Sequence, residues 1–179
     1  MLSFSRLGSL IVVAAATLVV AAAARAEGPA PASALWERCA AQLGVPAAPP
    51  AVERHIGLGA EMQDRLLGII LAGEKTITTT SPWLVEGGLA RQPEVGALSV
   101  LLDGAGRARA VLRTTRVETL GFDEVTAEHS RYEGPPVRPL EAWRAVHQRY
   151  FTQTLAPLGR EPTPDMPVTL EWFEVVCRE

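Results

Sequence analysis

Lysine is nearly missing from this chain of 179 residues: 17 side chains are basic, and all but Lys75 are arginine. Arginine keeps its proton at any working pH, whereas a desolvated amine can lose it and act as a base or nucleophile. A sole lysine against that background draws attention to its own chemistry, although a codon preference for arginine would leave the same trace. Histidine is scarce too. His55, His129 and His147 stand far apart, and neither H-x-x-x-H nor C-x-x-C spacing occurs, so no metal is expected. No G-x-S-x-G elbow, phosphate-binding lysine loop or dinucleotide G-x-G-x-x-G is present. Asp103-Gly104-Ala105-Gly106 is a hairpin turn, because no helix follows it to receive a phosphate. No cofactor is expected. A positive excess is missing as well: 20 acidic residues give a formal net charge of −3, which argues against a strongly basic nucleic-acid binder.

Charge is absent from Leu7 to Ala24, and the run ends at Ala24-Arg25-Ala26, a small-x-small cleavage pattern. Residues 1–26 read as a signal peptide cut after Ala26, with a retained N-terminal anchor as the alternative. The expected address of this bacterial-type leader is secreted or periplasmic, with no stable membrane insertion after cleavage. Loss of Arg6 and Arg25 makes the remainder two units more negative. It is long enough for one domain with a sizeable core and too short for two. Residues 27–54 read as a leader and helix, and 55–179 as the globular domain. Export would allow Cys39 and Cys177 to bridge the first helix to the last strand; two buried free thiols are the other arrangement.

Ser33 suits an N-cap for a helix to Leu43 closed by Gly44, and three prolines then make 45–52 an extended connector. Met62, Leu66, Ile69 and Ile70 recur at helical spacing over Ala60 to Ala72, with Gly73 as the left-handed cap. Thr76 to Thr80 reads as a strand halted by Ser81-Pro82. Leu98 to Leu102 and Ala108 to Leu120 form a β-hairpin, and Phe122 to Ser130 a short helix. Leu140 to Leu155 is a second long helix opened by Pro139, and Val168 to Cys177 a final strand. Strands without regular crossover helices exclude a doubly wound parallel sheet. The expectation is α+β: a small, mostly antiparallel barrel or strongly curved sheet flanked by helices.

The segment with chemical promise is Gly73-Glu74-Lys75-Thr76-Ile77-Thr78, at the join of helix and strand. Residues three apart in a regular strand face opposite sides, so Lys75 and Thr78 share a site only if Lys75 lies in the loop or a bulge before the strand. This G-x-K-x-x-T hexad resembles the signature of the ASCH domain, a small PUA-like β-barrel. Phe122-Asp123-Glu124-Val125, Tyr132-Glu133-Gly134, Trp143 with His147 and Tyr150-Phe151, and Asp165-Met166-Pro167-Val168 follow in the family's order, so the resemblance runs from about His55 to Val176. It implies a PUA-like barrel over residues 55–179. It also implies one of two activities: amide hydrolysis of the N(4)-acetylcytidine type, or RNA or nucleoside binding, including ribonucleolytic action.

Carried over, the hydrolase's lysine, threonine and glutamate fall on Lys75, Thr78 and Glu133, with Glu128 as the fallback for the last. Thr76, Trp83, Arg113 and Arg131 are the expected substrate contacts, Trp83 as a wall for a planar ligand. The expected partner is a nucleoside-like small molecule, with RNA as the alternative. Arg107, Arg109 and Arg113 on one strand face, with Arg131 and Arg138, would supply the phosphate contacts. An exposed face also carries arginine for solubility, and Glu118, Asp123, Glu124 and Glu128 are interleaved nearby.

Overall fold

The computed structural model describes residues 32–48 and 51–179, so the leader 1–26 lies outside the described residues. The elements are α1 (Ala32–Leu43), β1 (Val52–Arg54), α2 (Ala60–Leu71), β2 (Ile77–Thr80), α3 (Pro82–Glu86), β3 (Leu98–Leu102), β4 (Ala108–Gly121), α4 (Ala127–Ser130), α5 (Leu140–Leu155) and β5 (Pro167–Arg178). They form one five-stranded sheet in the order β1-β3-β4-β5-β2. Every pairing is antiparallel except β1 with β3, where Val52–Arg54 runs alongside Ser99–Leu101.

The α+β class holds, but the sheet does not close into a barrel: β1 and β2 are its two edges. It curls instead. Three strand spacings separate β1 from β5, about 14 Å on a flat sheet, yet the Arg54 guanidinium reaches the Glu171 carboxylate at 2.8 Å. β4 supplies the bend, with register breaks between Val111 and Leu112 and between Thr114 and Arg116. An extra residue in one strand of a pair bends that strand and steepens its twist.

Three apolar clusters fix the helices to the sheet. Trp143, Phe151 and Leu155 of α5 pack with Leu84 of α3 against Ile77, Leu170 and Trp172. Leu67 and Ile70 of α2 pack on Leu101, Leu112 and Phe173. Leu35, Trp36 and Ala40 of α1 cover Val100 and Val111, and Cys39 is bridged to Cys177 with their Cα atoms 5.8 Å apart. Burying Leu35 and Trp36 is worth about 2 kcal/mol each, so α1 is part of the same body rather than a separate leader helix. Ser33 falls inside its first turn. Strand β1 likewise belongs to the sheet, although the three prolines beside it read as connector. Ser81-Pro82 ends β2 by starting α3: the Ser81 hydroxyl accepts from the Trp83 N–H and donates to the Pro167 carbonyl at 2.7 Å.

Candidate functional site

A cleft of about 750 Å³ opens on the inner side of the curled sheet, walled by β1, α2, β2, the 89–94 loop and α5. Lys75, Thr78 and Glu133 all line it. Helix α2 ends on Gly73, whose φ of +74° suits glycine. The next two residues turn back, with the Glu74 and Lys75 N–H groups both on the Ile69 carbonyl. Lys75 therefore lies in the loop before β2, the condition under which it can share a wall with Thr78.

Main-chain bonds then set Lys75 beside Glu133. The Thr76 N–H donates to the Tyr132 carbonyl at 2.9 Å, so the residues flanking that bond are neighbours, and the Phe173 N–H donates to the Thr76 carbonyl at 2.9 Å. Thr76 is thus a backbone clamp, and it does not line the cleft. Arg138 is a second clamp, donating to the carbonyls of Glu133 and Glu74 at 2.9 Å each. Gly134 lets this segment lie on α2, because a Cβ there would stand 2.4 Å from Ile69 Cδ1. The Lys75 ammonium meets Glu133 Oε2, with the two residues 5% and 3% exposed. Glu133 Oε1 is buried without a hydrogen-bond partner.

His147, on α5, completes this group. Its ring stacks on Trp143 with centroids 4.1 Å apart, and its Nδ1–H donates to the Trp143 carbonyl at 2.9 Å. Because a carbonyl only accepts, Nδ1 carries the proton and Nε2 is left facing Glu133 Oε1 at 3.8 Å. Burial holds the imidazole below its ordinary pKa, against the opposing pull of the Glu133 carboxylate, so it is neutral near pH 7. Its spacing from other histidines gave no warning of this; the signal was its i, i+4 position after Trp143 on an otherwise apolar face.

A second ion pair, half-buried on its arginine side, stands beside Thr78. Glu171, directly across from Thr78 in the β2–β5 ladder, accepts both Arg54 nitrogens at 2.8 and 2.9 Å and the Thr114 hydroxyl at 2.6 Å. Sequence reading missed this network, since its members are 57 and 117 residues from Glu171.

The remaining expected contacts are not at the cleft. Trp83 packs on the apolar core with the Arg160 guanidinium over its ring at 4.8 Å, so it walls no ligand there. Arg113 points outward to Glu174. Arg131 is exposed, paired with Glu128 and stacked on Tyr132, which also removes Glu128 from contention as the site carboxylate. Among the described residues no group of three His, Cys, Asp or Glu side chains is placed to hold a metal ion.

What remains is a hydroxyl, an amine, a carboxylate and a neutral imidazole on one polar floor, in a small PUA-like α+β domain whose curled sheet forms a cleft. The ASCH domain sequence model matches residues 54–177, and the chain belongs to the ASCH domain family. Solved structures agree. Protein EF3133 of Enterococcus faecalis is similar at 28% identity and TM-score 0.74, over 82% of this chain and 88% of that one. An ASCH domain from Lactobacillus crispatus has the same fold at 22% identity and TM-score 0.73, over 86% of this chain and 99% of that one. No curated protein matches.

Proposed function

We propose that the chain hydrolyses a small amide in this cleft, with Thr78 as nucleophile and the Lys75–Glu133 pair as its acid and base. The supporting observation is the pair's burial beside a strand hydroxyl, with one Glu133 oxygen left unpartnered. Entry of an amide displaces water from the floor, and a drier site favours passage of the pair's shared proton from amine to carboxylate. The neutral Lys75 amine then takes the Thr78 proton as the hydroxyl oxygen attacks the acyl carbon. Glu133 protonates the leaving nitrogen as the C–N bond breaks. This leaves an acyl-threonine, a Lys75 ammonium and a Glu133 carboxylate. Water next gives its proton to Glu133 as its oxygen attacks the ester, and Lys75 returns a proton to Thr78. The proton on Glu133 then passes back to Lys75, which restores the starting ammonium–carboxylate pair, and an acid and an amine have been released.

The leader at 1–26 and the Cys39–Cys177 bridge both suit action after export. An RNA-binding or ribonucleolytic role draws less support, because Arg107, Arg109, Arg113 and Arg131 each lie against a carboxylate. Release of acetate and cytidine from N(4)-acetylcytidine tests the reading. Turnover should fall at least about 100-fold in each of Lys75→Ala, Thr78→Ala and Glu133→Gln, with melting temperatures followed alongside. A folded wild-type chain without turnover sinks the acylated-nucleoside assignment.

A further inference from the structure

Three kinds of side chain are left idle by the fold, and most of them lie at one place. Outside the cleft six arginines lie against carboxylates and Arg38, Arg138 and Arg144 donate to main-chain carbonyls, leaving Arg178 without a side-chain partner; Arg65, Arg91 and Arg149, which line the cleft, have neither kind of contact among the described residues. Among the described residues the exposed large hydrophobic side chains are Leu58, Met62, Leu89 and Val95, and the first three line the same cleft. Among the described residues, buried side-chain polar atoms without a partner belong to Thr79, Thr80, Glu133 and Trp172; the first three residues line the cleft, with the Thr80 side chain on the same strand face as Thr78 and that of Thr79 on the other. Exposed apolar surface and unmatched cations are each unremarkable singly. Their convergence with unsatisfied floor groups describes a ligand.

The rims repeat one pattern. Along α2, Met62 is followed one helical turn later by Arg65; on the facing loop, Leu89 is followed by Arg91. Helix α5 adds Arg149. Glu53 and Glu94 also line the cleft, so once the Lys75–Glu133 and Arg54–Glu171 pairs are set aside the arginines keep an excess of one charge in a chain whose net charge is −3. Tyr150 is the only Phe, Tyr or Trp ring lining the cleft among the described residues, so no second ring closes over a nucleobase. The volume, about 750 Å³, lies in the upper part of the range for small-molecule sites.

We propose that the cleft takes an N-acyl amino acid with a medium-length aliphatic chain. The amide sits on the floor, over Thr78 and the Lys75–Glu133 pair. The hydrocarbon rises along Leu58, Met62 and Leu89, and the free carboxylate is held by Arg65, Arg91 and Arg149. For turnover this rests on the amidase reading: water cleaves the C–N bond to give a fatty acid and an amino acid. For binding it does not.

The test is calorimetric titration of Thr78→Ala, bridge intact, with N-octanoylglycine, N-acetylglycine, octylamine and N(4)-acetylcytidine, beside glycine release by the wild-type chain. N-octanoylglycine should bind at least about tenfold more tightly than the other three. Replacing Arg91 and Arg149 together by glutamate should remove that preference at an unchanged melting temperature. Equal or tighter binding of octylamine or N(4)-acetylcytidine overturns the proposal, as does indifference to the charge reversal. Binding of N-octanoylglycine without glycine release upholds it and overturns the amidase reading. Cytidine release without N-octanoylglycine binding does the reverse.

Discussion

At the tip of the β3–β4 hairpin, Asp103 is fully buried and both its oxygens are occupied. Oδ1 accepts the Ala105 and Arg107 N–H groups at 3.0 and 2.9 Å, and Oδ2 accepts the guanidinium groups of Arg107 and Arg109 at 2.7 and 3.3 Å. Burial alone would push this carboxyl up, but those four donors outweigh it and hold it at about 2. On the cleft floor Glu133 is also buried against a cation, yet only Oε2 is used. The first carboxylate is finished by the fold and stabilises a turn. The second keeps an acceptor in reserve beside a neutral imidazole and a hydroxyl, which costs stability and suits a site that must receive something. Glu171 faces the same cleft but belongs with Asp103, since Arg54 and Thr114 complete it.

The sharpest way to break this comparison is to remove one charge from each kind of carboxylate. Glu171→Gln should lower unfolding free energy in urea by about 3 kcal/mol, because it strands Arg54, which cannot shed its proton. Glu133→Gln should cost less, because only one of its two oxygens is used in the fold. Equal losses would mean that the two carboxylates are alike.

Acid titration of stability separates the regions next. His147 is neutral when folded, so below its ordinary value of 6.5 the unfolded chain binds the extra proton and stability falls as pH drops. Asp103 contributes fully above its unfolded value of 3.8, and that contribution is lost as pH falls toward about 2. Urea midpoints should therefore decline in two steps, with His147→Phe removing the upper and Asp103→Asn the lower. The smallest effect belongs to the surface: Arg131→Ala, at an exposed pair with Glu128, should change stability by less than about 0.5 kcal/mol and leave turnover untouched.

Local pattern made much of the fold legible. Helix α5 runs from Leu140 to Leu155 as its periodicity indicates, the hairpin turns at Asp103–Gly106, and α2 ends before Gly73. What escaped was non-local. Val52-Glu53-Arg54 is too short to read as a strand and gains its identity only from β3, paired in parallel. Closure failed for a related reason: register breaks in β4 curl the sheet without bringing β1 to β2, and no residue pattern in either edge strand announces that. At the site, loop placement brings Lys75 to the same wall as Thr78, whereas Trp83, Arg113 and Arg131 lie against other partners. Arg54 and Glu171 carry no local signal and meet only when distant segments do, and the place of His147 beside Glu133 is set the same way.

Strand β5 carries a temporal consequence. It lies between β4 and β2 in the sheet, bears Glu171 opposite Thr78, and ends in the cysteine bridged to α1. Until this stretch has been synthesised, β2 has no partner, the cleft has no floor, and Cys39 has nothing to join. Assembly therefore depends on contacts between segments far apart in sequence, which slow folding. Loss of β5 would therefore unpair β2, strip one side of β4, leave Arg54 without its carboxylate and Cys39 without its bridge, all in one change.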